Sequence, residues 1–355
     1  MVHCNSVPPE VEEAISYVES KIDELSKLGY EPDKYKYPDI NADTEVRSLF
    51  NHFELYEKRL NKERLEPDKK QLDRIVNLIL LATGSNKFEP DVGYKDLNNI
   101  LSILDSSLVK DSKSPGFPYQ SDGLPTNAQV LKTIGKKNFA ELVLSKWDEE
   151  FVAKWFIKVE PTKKTKLDAD MPRGVTGLPL HFMVKCQAML KNALFAAVEN
   201  WEESPIKYAF SPEKPGHINH LSKWLGEGAV FHSDKTNWDW NMYSWIFKVC
   251  KAVTKGWVVK PSAMSQSEFQ RYMADLDSLC DMISDHRVFR CSNGRVFQVE
   301  TGGIMLSGIL VTILWNTLGQ LAVDIFIKVL LGWSDQKILD FMVVAGGDDV
   351  LQSLS

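Results

Sequence analysis

The sequence predicts an α+β fold, and three observations carry that reading. Helical spacing of apolar residues dominates the first hundred positions, as in Val11, Ile15, Val18, Ile22 and Leu25. Farther on, short alternating segments such as residues 229–234 read as strands. Helices and strands do not alternate regularly, which argues against a doubly wound parallel sheet.

In chain order, residues 9–30 and 54–82 read as amphipathic helices, the first stopped by Gly29. Residues 110–125, "KDSKSPGFPYQSDGLP", carry too many prolines and glycines for regular structure, so they read as a loop at a boundary. A helix is expected over 127–150. "FVAKWFIKVEPTKKTK" then reads as a strand running into a basic loop, and "PRGVTGLPL" as its return. A strand over 229–234 and a helix from Met242 follow. "HRVFRCSNGRVFQVE" has two alternating arms around Asn293-Gly294, the signature of a type I′ hairpin. Residues 301–323 are uncharged and long enough to cross a bilayer. Their glycines, threonines, Ser307, Asn316 and Gln320 instead favour a buried core helix with its entry loop.

With 355 residues, 44% of them hydrophobic, the chain can bury a substantial core in two or three structural units. Its net charge of −6 argues against a protein that coats nucleic acid through overall positive charge. A local basic track remains, with Lys158, Lys163, Lys164, Lys166 and Arg173 among few acids. Such a track is either a solvated face or an anion channel. The five cysteines are scattered with no C-x-x-C pair, which suits a reducing compartment. No basic start and apolar run of a signal peptide opens the sequence.

Four carboxylates stand out. "VVAGGDDVLQ" sets Asp348 and Asp349 after two glycines, between apolar runs that read as a hairpin, so both are expected at its tip. Alone, this is either a solvated turn or a paired-carboxylate site. Asp234 ends a predicted strand, and Asp239 follows five residues later before a helix. If these strands are neighbours, the hard oxygen donors suit Mg²⁺, with Mn²⁺ as the alternative ion. In "SGILVTILWN", the small residues Ser307 and Gly308 open a helix on which Thr312 and Asn316 share a face. These polar groups need partners, either backbone or a ligand. His217 and His220 have helical metal-ligand spacing but no evident third ligand, so they read as structural.

The ordered series "SPGFPY", "KVEPTKKTKLDADMPRG", "DKTNWD", "SGILVTILWN" and "GGDD" resembles the G, F, A, B and C motifs of RNA-dependent RNA polymerases of positive-strand RNA viruses. Trp238-Asp239-Trp240 and the "SNGRVFQ" hairpin look most like the sobemovirus and polerovirus branch, although the sequence after Asn316 is more apolar than that branch leads one to expect. The resemblance covers roughly residues 110–355 and implies a right-hand polymerase. Its implied organisation is an N-terminal helical region over 1–110, fingers over 111–205, a first palm segment over 206–260, a fingers insertion over 261–285 and a second palm segment over 286–355.

Residue by residue, the resemblance implies metal ligation and catalysis by Asp234, Asp348 and Asp349. It implies nucleotide contacts at Lys158, Lys166, Arg173, Asp239, Ser307, Thr312 and Asn316. It further implies template contacts at Ser114, Gly116, Pro118, Lys163, Lys164 and Gly308. Implied partners are template and primer RNA, nucleoside triphosphates and other viral replication proteins, in a replication complex of the host cell cytoplasm. Because six residues follow Asp349, the D and E motifs and the thumb are expected to be absent from this chain. Two other readings stay open: a non-catalytic RNA-binding fragment, and a reverse transcriptase, which Asp239 and Asn316 disfavour.

Overall fold

The computed structural model describes residues 34–61, 65–226, 228–235, 237–285, 288–299 and 302–353; the helix expected over 9–30 and Cys4 lie outside them. The fold is mixed α+β, with both antiparallel and mixed sheets. Its strands are β1 Tyr35–Lys36, β2 Ala153–Ile157, β3 Thr162–Lys163, β4 Gly174–Gly177, β5 Val230–Asp234, β6 Val288–Arg290, β7 Val296–Gln298, β8 Val344–Gly346 and β9 Asp349–Ser353.

Two sheets frame the site. The mixed sheet has the order β4-β2-β6-β7, so the return strand predicted after the basic loop pairs antiparallel with β2, while β2 and β6 run parallel. The other is antiparallel, with the order β5-β9-β8. Although the sequence groups β6 and β7 with residues 286–355, they join β2 and β4 rather than the sheet that carries Asp348 and Asp349.

The stretch expected as one helix over 54–82 is two, Ala42–Leu60 and Lys69–Ala82. Asp68 starts the second by accepting from Gln71 N while the Gln71 side chain accepts from Asp68 N, a reciprocal cap that favours a new start over continuation. The helix expected over 127–150 likewise divides into Asn127–Ile134 and Lys136–Ser145 at Gly135, whose φ of +84° breaks the helical path. The hairpin at Asn293-Gly294 is not type I′, because that turn needs positive φ at both central residues and Asn293 lacks it. Gly294 N donates to Cys291 O at 2.9 Å and Cys291 N to Arg295 O at 3.0 Å. Gly294 alone takes positive φ, so the loop is a three-residue connection with a glycine bulge.

The core centres on helix Thr312–Leu330, which packs against helices Ser244–Gly256 and Lys69–Ala82 and against β8. It is apolar and long enough to cross a bilayer, yet two-thirds of it is buried inside the fold, including Trp315, Leu318, Leu321 and Ile325. Trp315 Nε1 finds Thr254 Oγ1 at 3.2 Å, which satisfies the one polar group this ring brings into the core. Cys186, Cys250, Cys280 and Cys291 are buried free thiols.

Helix Ala42–Leu60 braces the basic loop. Arg47 pairs with Asp170 at 3.1 Å, Ser48 Oγ donates to Pro172 O at 2.8 Å, and Asn51 donates to Ala169 O at 3.1 Å.

Candidate active site

Strand pairing brings the separated carboxylate positions together. Asp234 is the register partner of Asp349 across β5 and β9, and Gly346 is its partner across β8 and β9. The turn is therefore Gly347-Asp348, with Gly347 at φ +71°; Asp348 sits in the turn, while Asp349 already begins β9. Helix Thr312–Leu330 holds this turn from below. Gly347 N donates to the buried Thr317 Oγ1 at 2.8 Å, and the buried Gln320 donates through Nε2 to Asp348 O at 3.1 Å. Gln320 Oε1 in turn accepts from Lys235 Nζ.

The two adjacent carboxylates serve different spaces. Asp348 lines a cavity of about 470 Å³ together with Lys163, Lys166, Arg173, Lys235, Asp239 and Ser307. Asp349 lines a second cavity of about 390 Å³ and stands 3.7 Å from His232 Nε2. Among the described side chains, no group of three His, Cys, Asp or Glu stands close enough to hold a metal; the Asp234 side chain lies outside the described residues. What fits a hard divalent cation is the donor chemistry: strand register gathers three aspartate positions at one sheet end, beside a cation-lined cavity.

Of the expected nucleotide cations, Lys166 and Arg173 line the larger cavity and Lys158 does not. Lys158 pairs with Glu160 at 2.6 Å, and Arg173 approaches the same carboxylate at 3.7 Å. Glu160 thus offsets part of the positive charge. Lys163 faces the cavity rather than a separate template path, and Lys164, the first residue of the short helix Lys164–Asp168, does not line it.

Asp239 and Asn316 meet. Asn316 Nδ2 donates to Asp239 Oδ1 at 2.8 Å, leaving the buried Asn316 Oδ1 without a partner among the described residues. Asp239 is anchored through its own carbonyl, which accepts from Met305 N at 2.8 Å. Burial pushes the Asp239 carboxyl above its ordinary range, and the charge of Asp348 adds to this; Asn316 and Arg173 pull the other way. Thr312 does not share this role, since its hydroxyl contacts Leu306 O at 2.9 Å and Ile309 O at 2.8 Å at the start of its helix. Ser307 lines the cavity, and its carbonyl accepts from Thr176 Oγ1. Gly308 lies against the same strand at φ +106°, where an added Cβ would sit 2.8 Å from Thr176 O.

Of the residues expected to contact template, Ser114, Gly116 and Pro118 do not line the Asp348 cavity. Ser114 Oγ accepts from Gly116 N at 3.3 Å, and Pro118 O accepts from Ser121 N at 2.9 Å. Gly116, at φ +68°, approaches so near that a Cβ would lie 2.2 Å from Leu178 O. Leu180 N donates to Pro115 O at 2.8 Å and Tyr119 Oη lies 2.8 Å from His181 Nδ1, so this loop is docked on helix Leu180–Glu199.

Sequence reasoning missed His52, Lys235, Thr317 and Gln320. His52 reaches the cavity from helix Ala42–Leu60, stacks on Trp240 at 4.9 Å between ring centres and is kept neutral by burial. Nothing local marks it. Thr317 and Gln320 follow Asn316 by one and four positions and are polar on an apolar helix, a signal that was present. His217 Nδ1 accepts from Ser211 N at 3.1 Å and His220 Nε2 lies 2.8 Å from Glu202 O, which agrees with their structural reading. No protein-family model and no curated protein matches this sequence.

Proposed function

We propose that this chain is the fingers-and-palm portion of a viral RNA-dependent RNA polymerase, most like the sobemovirus and polerovirus branch. The observation that carries the reading is one cavity lined by Asp348, by Asp239 in its hydrogen bond with Asn316, and by four basic side chains, Lys163, Lys166, Arg173 and Lys235, at the sheet end where Asp234 pairs with Asp349. On this reading the β5-β9-β8 sheet is the palm and the basic loop belongs to the fingers.

The reaction joins a primer 3′-oxygen to the α-phosphorus of a ribonucleoside triphosphate and breaks the bond to the β-phosphate, releasing pyrophosphate. Lys163, Lys166 and Arg173 attract the triphosphate and offset its charge. Asp239 and Asn316 offer hydrogen bonds to the ribose hydroxyls. Thr317 and Gln320 fix the turn that carries Asp348, so its carboxylate needs no reordering when substrate arrives. Asp234, Asp348 and Asp349 would hold Mg²⁺, or Mn²⁺ in its place, which when bound supplies charge neutralisation at the transferring phosphate and eases loss of the 3′-hydroxyl proton.

Primer extension on an RNA template tests the reading. Incorporation of ribonucleotides that depends on Mg²⁺ and disappears in Asp348→Asn supports it. RNA binding with no incorporation, by this chain and by a version extended beyond Ser355, favours the non-catalytic reading.

A further inference from the structure

We propose that Lys154 and Arg290 form a binding site for a backbone phosphate of single-stranded RNA, outside the candidate active cavity. The proposal rests on the RNA-polymerase reading and adds to it a contact that no motif supplies. Lys154 on β2 and Arg290 on β6 are register partners on adjacent parallel strands. Like charges directly opposite one another in a sheet destabilise it. Among the described residues neither meets a carboxylate: Lys154 Nζ donates to Gln120 Oε1 at 2.9 Å, and the Arg290 guanidinium lies 4.5 Å from the centre of the Phe117 ring. Glu45 comes close by in the fold, but its carboxylate is engaged by Ser292 N at 2.7 Å and Ser292 Oγ at 2.8 Å.

The two cations line a cavity of about 280 Å³ with Phe117, Gln120, Ser121 and Ser292. An anion seated there would relieve the repulsion, and the planar Arg290 fork suits the paired oxygens of a phosphodiester. Their chain neighbours Trp155 and Phe289 line the Asp348 cavity instead. Because successive strand residues point to opposite faces, the two cavities lie on opposite faces of one sheet. A nucleoside triphosphate bound for Asp348 has no reason to stop on the far face, whereas a polymer that continues past the cavity does. Phe117, from the loop that carries Ser114 and Gly116, provides a ring on which a base can stack.

The test is fluorescence anisotropy of a labelled oligouridylate with the full chain across a series of NaCl concentrations. The double variant Lys154→Gln/Arg290→Gln should flatten the plot of log affinity against log salt by about 0.7, the increment for one neutralised phosphate on a single strand, and each single variant by no more than that. Lys87→Gln, an exposed lysine that lines neither cavity, should leave the slope unchanged. Thermal midpoints of the variants without RNA should equal or exceed the parent's, since a like-charge pair is removed. A double variant with the parent's slope and affinity overturns the site, as does a parent that binds no oligouridylate. If inorganic phosphate raises the parent's thermal midpoint and the double variant loses that rise while its RNA affinity and slope stay at the parent's, the site is overturned in favour of a small-anion site. Because binding needs no turnover, flattened slopes without primer extension would sink the catalytic reading alone, and extension with unaltered slopes would sink this site alone.

Discussion

Asn316 and Asp239 lie 77 residues apart in the chain and meet through one hydrogen bond of 2.8 Å at the wall of the cavity that Asp348 enters. A site that hydrogen-bonds a hydroxyl rejects an analogue lacking it, because buried polar groups are left unpaired. In an active form of the chain, Asp239→Ala or Asn316→Ala should narrow the preference for ribonucleotides over deoxyribonucleotides by roughly tenfold. Asp348→Asn should depress both substrates together. Competing incorporation of the two sugars measures the ratio, and an unchanged ratio in Asp239→Ala would remove these residues from sugar recognition.

The same pair predicts a cost in stability. A carboxyl whose folded-state pKa is raised loses stability as pH rises from the unfolded value through the folded one, so ionised Asp239 destabilises the fold at neutral pH. Asp239→Asn should therefore unfold at a temperature no lower than the parent at pH 7, with its advantage shrinking near pH 4. Calorimetry at the two pH values checks this, and a variant that melts several degrees lower at pH 7 would refute it.

Acid should weaken the docking of the loop over 110–125. Burial pushes His181 down to about 4, so it is neutral in the fold. Between its ordinary value near 6.5 and about 4, the unfolded chain binds the proton and the folded chain does not, so stability falls as pH falls through that window. The loss approaches roughly 3 kcal/mol below the folded value. Denaturant titrations of parent and His181→Gln from pH 7 to pH 4 should show a slope with pH in the parent that the variant largely lacks.

Much of this arrangement was legible locally, and the remainder depends on pairing between distant segments. The alternation in "AVFHSD" and "VVAGGDDVLQ" identified β5 and the β8–β9 hairpin, but only their register puts Asp234 beside Asp349. Asn316 was legible as a polar residue on an apolar helix, and Asp239 as a second carboxylate five residues after Asp234. His52 was not, because its place depends on helix Ala42–Leu60 crossing the basic loop through Arg47, Ser48 and Asn51. Lys158 was misleading: its nearest acid, Glu160, lies two residues away and takes the charge assigned to a triphosphate. Thr312 opens the expected helix, yet its hydroxyl donates to the carbonyls of Leu306 and Ile309 in the loop that precedes it.

The turn beneath Asp348 supplies a test of positioning. Thr317→Val keeps the shape but strands the buried Gly347 N–H, at a cost of about 1–3 kcal/mol. Its effect on nucleotide incorporation should fall on kcat more than on KM, because the carboxylate would be displaced rather than the groups that touch substrate. Thr317→Ser should restore both. Equal losses in Thr317→Val and Thr317→Ser would assign the residue to packing alone.

On the proposed function, Asp234, Asp348 and Asp349 together hold the catalytic divalent cations. Anomalous diffraction from crystals soaked with Mn²⁺ and a non-hydrolysable ribonucleoside triphosphate measures this directly. Mn²⁺ is expected at the sheet end that carries Asp234 and Asp348, with the triphosphate toward Lys166 and Arg173, and that signal should be lost in Asp348→Asn. Saturating Mn²⁺ with no density at this sheet end, or the same density retained in Asp348→Asn, would contradict it.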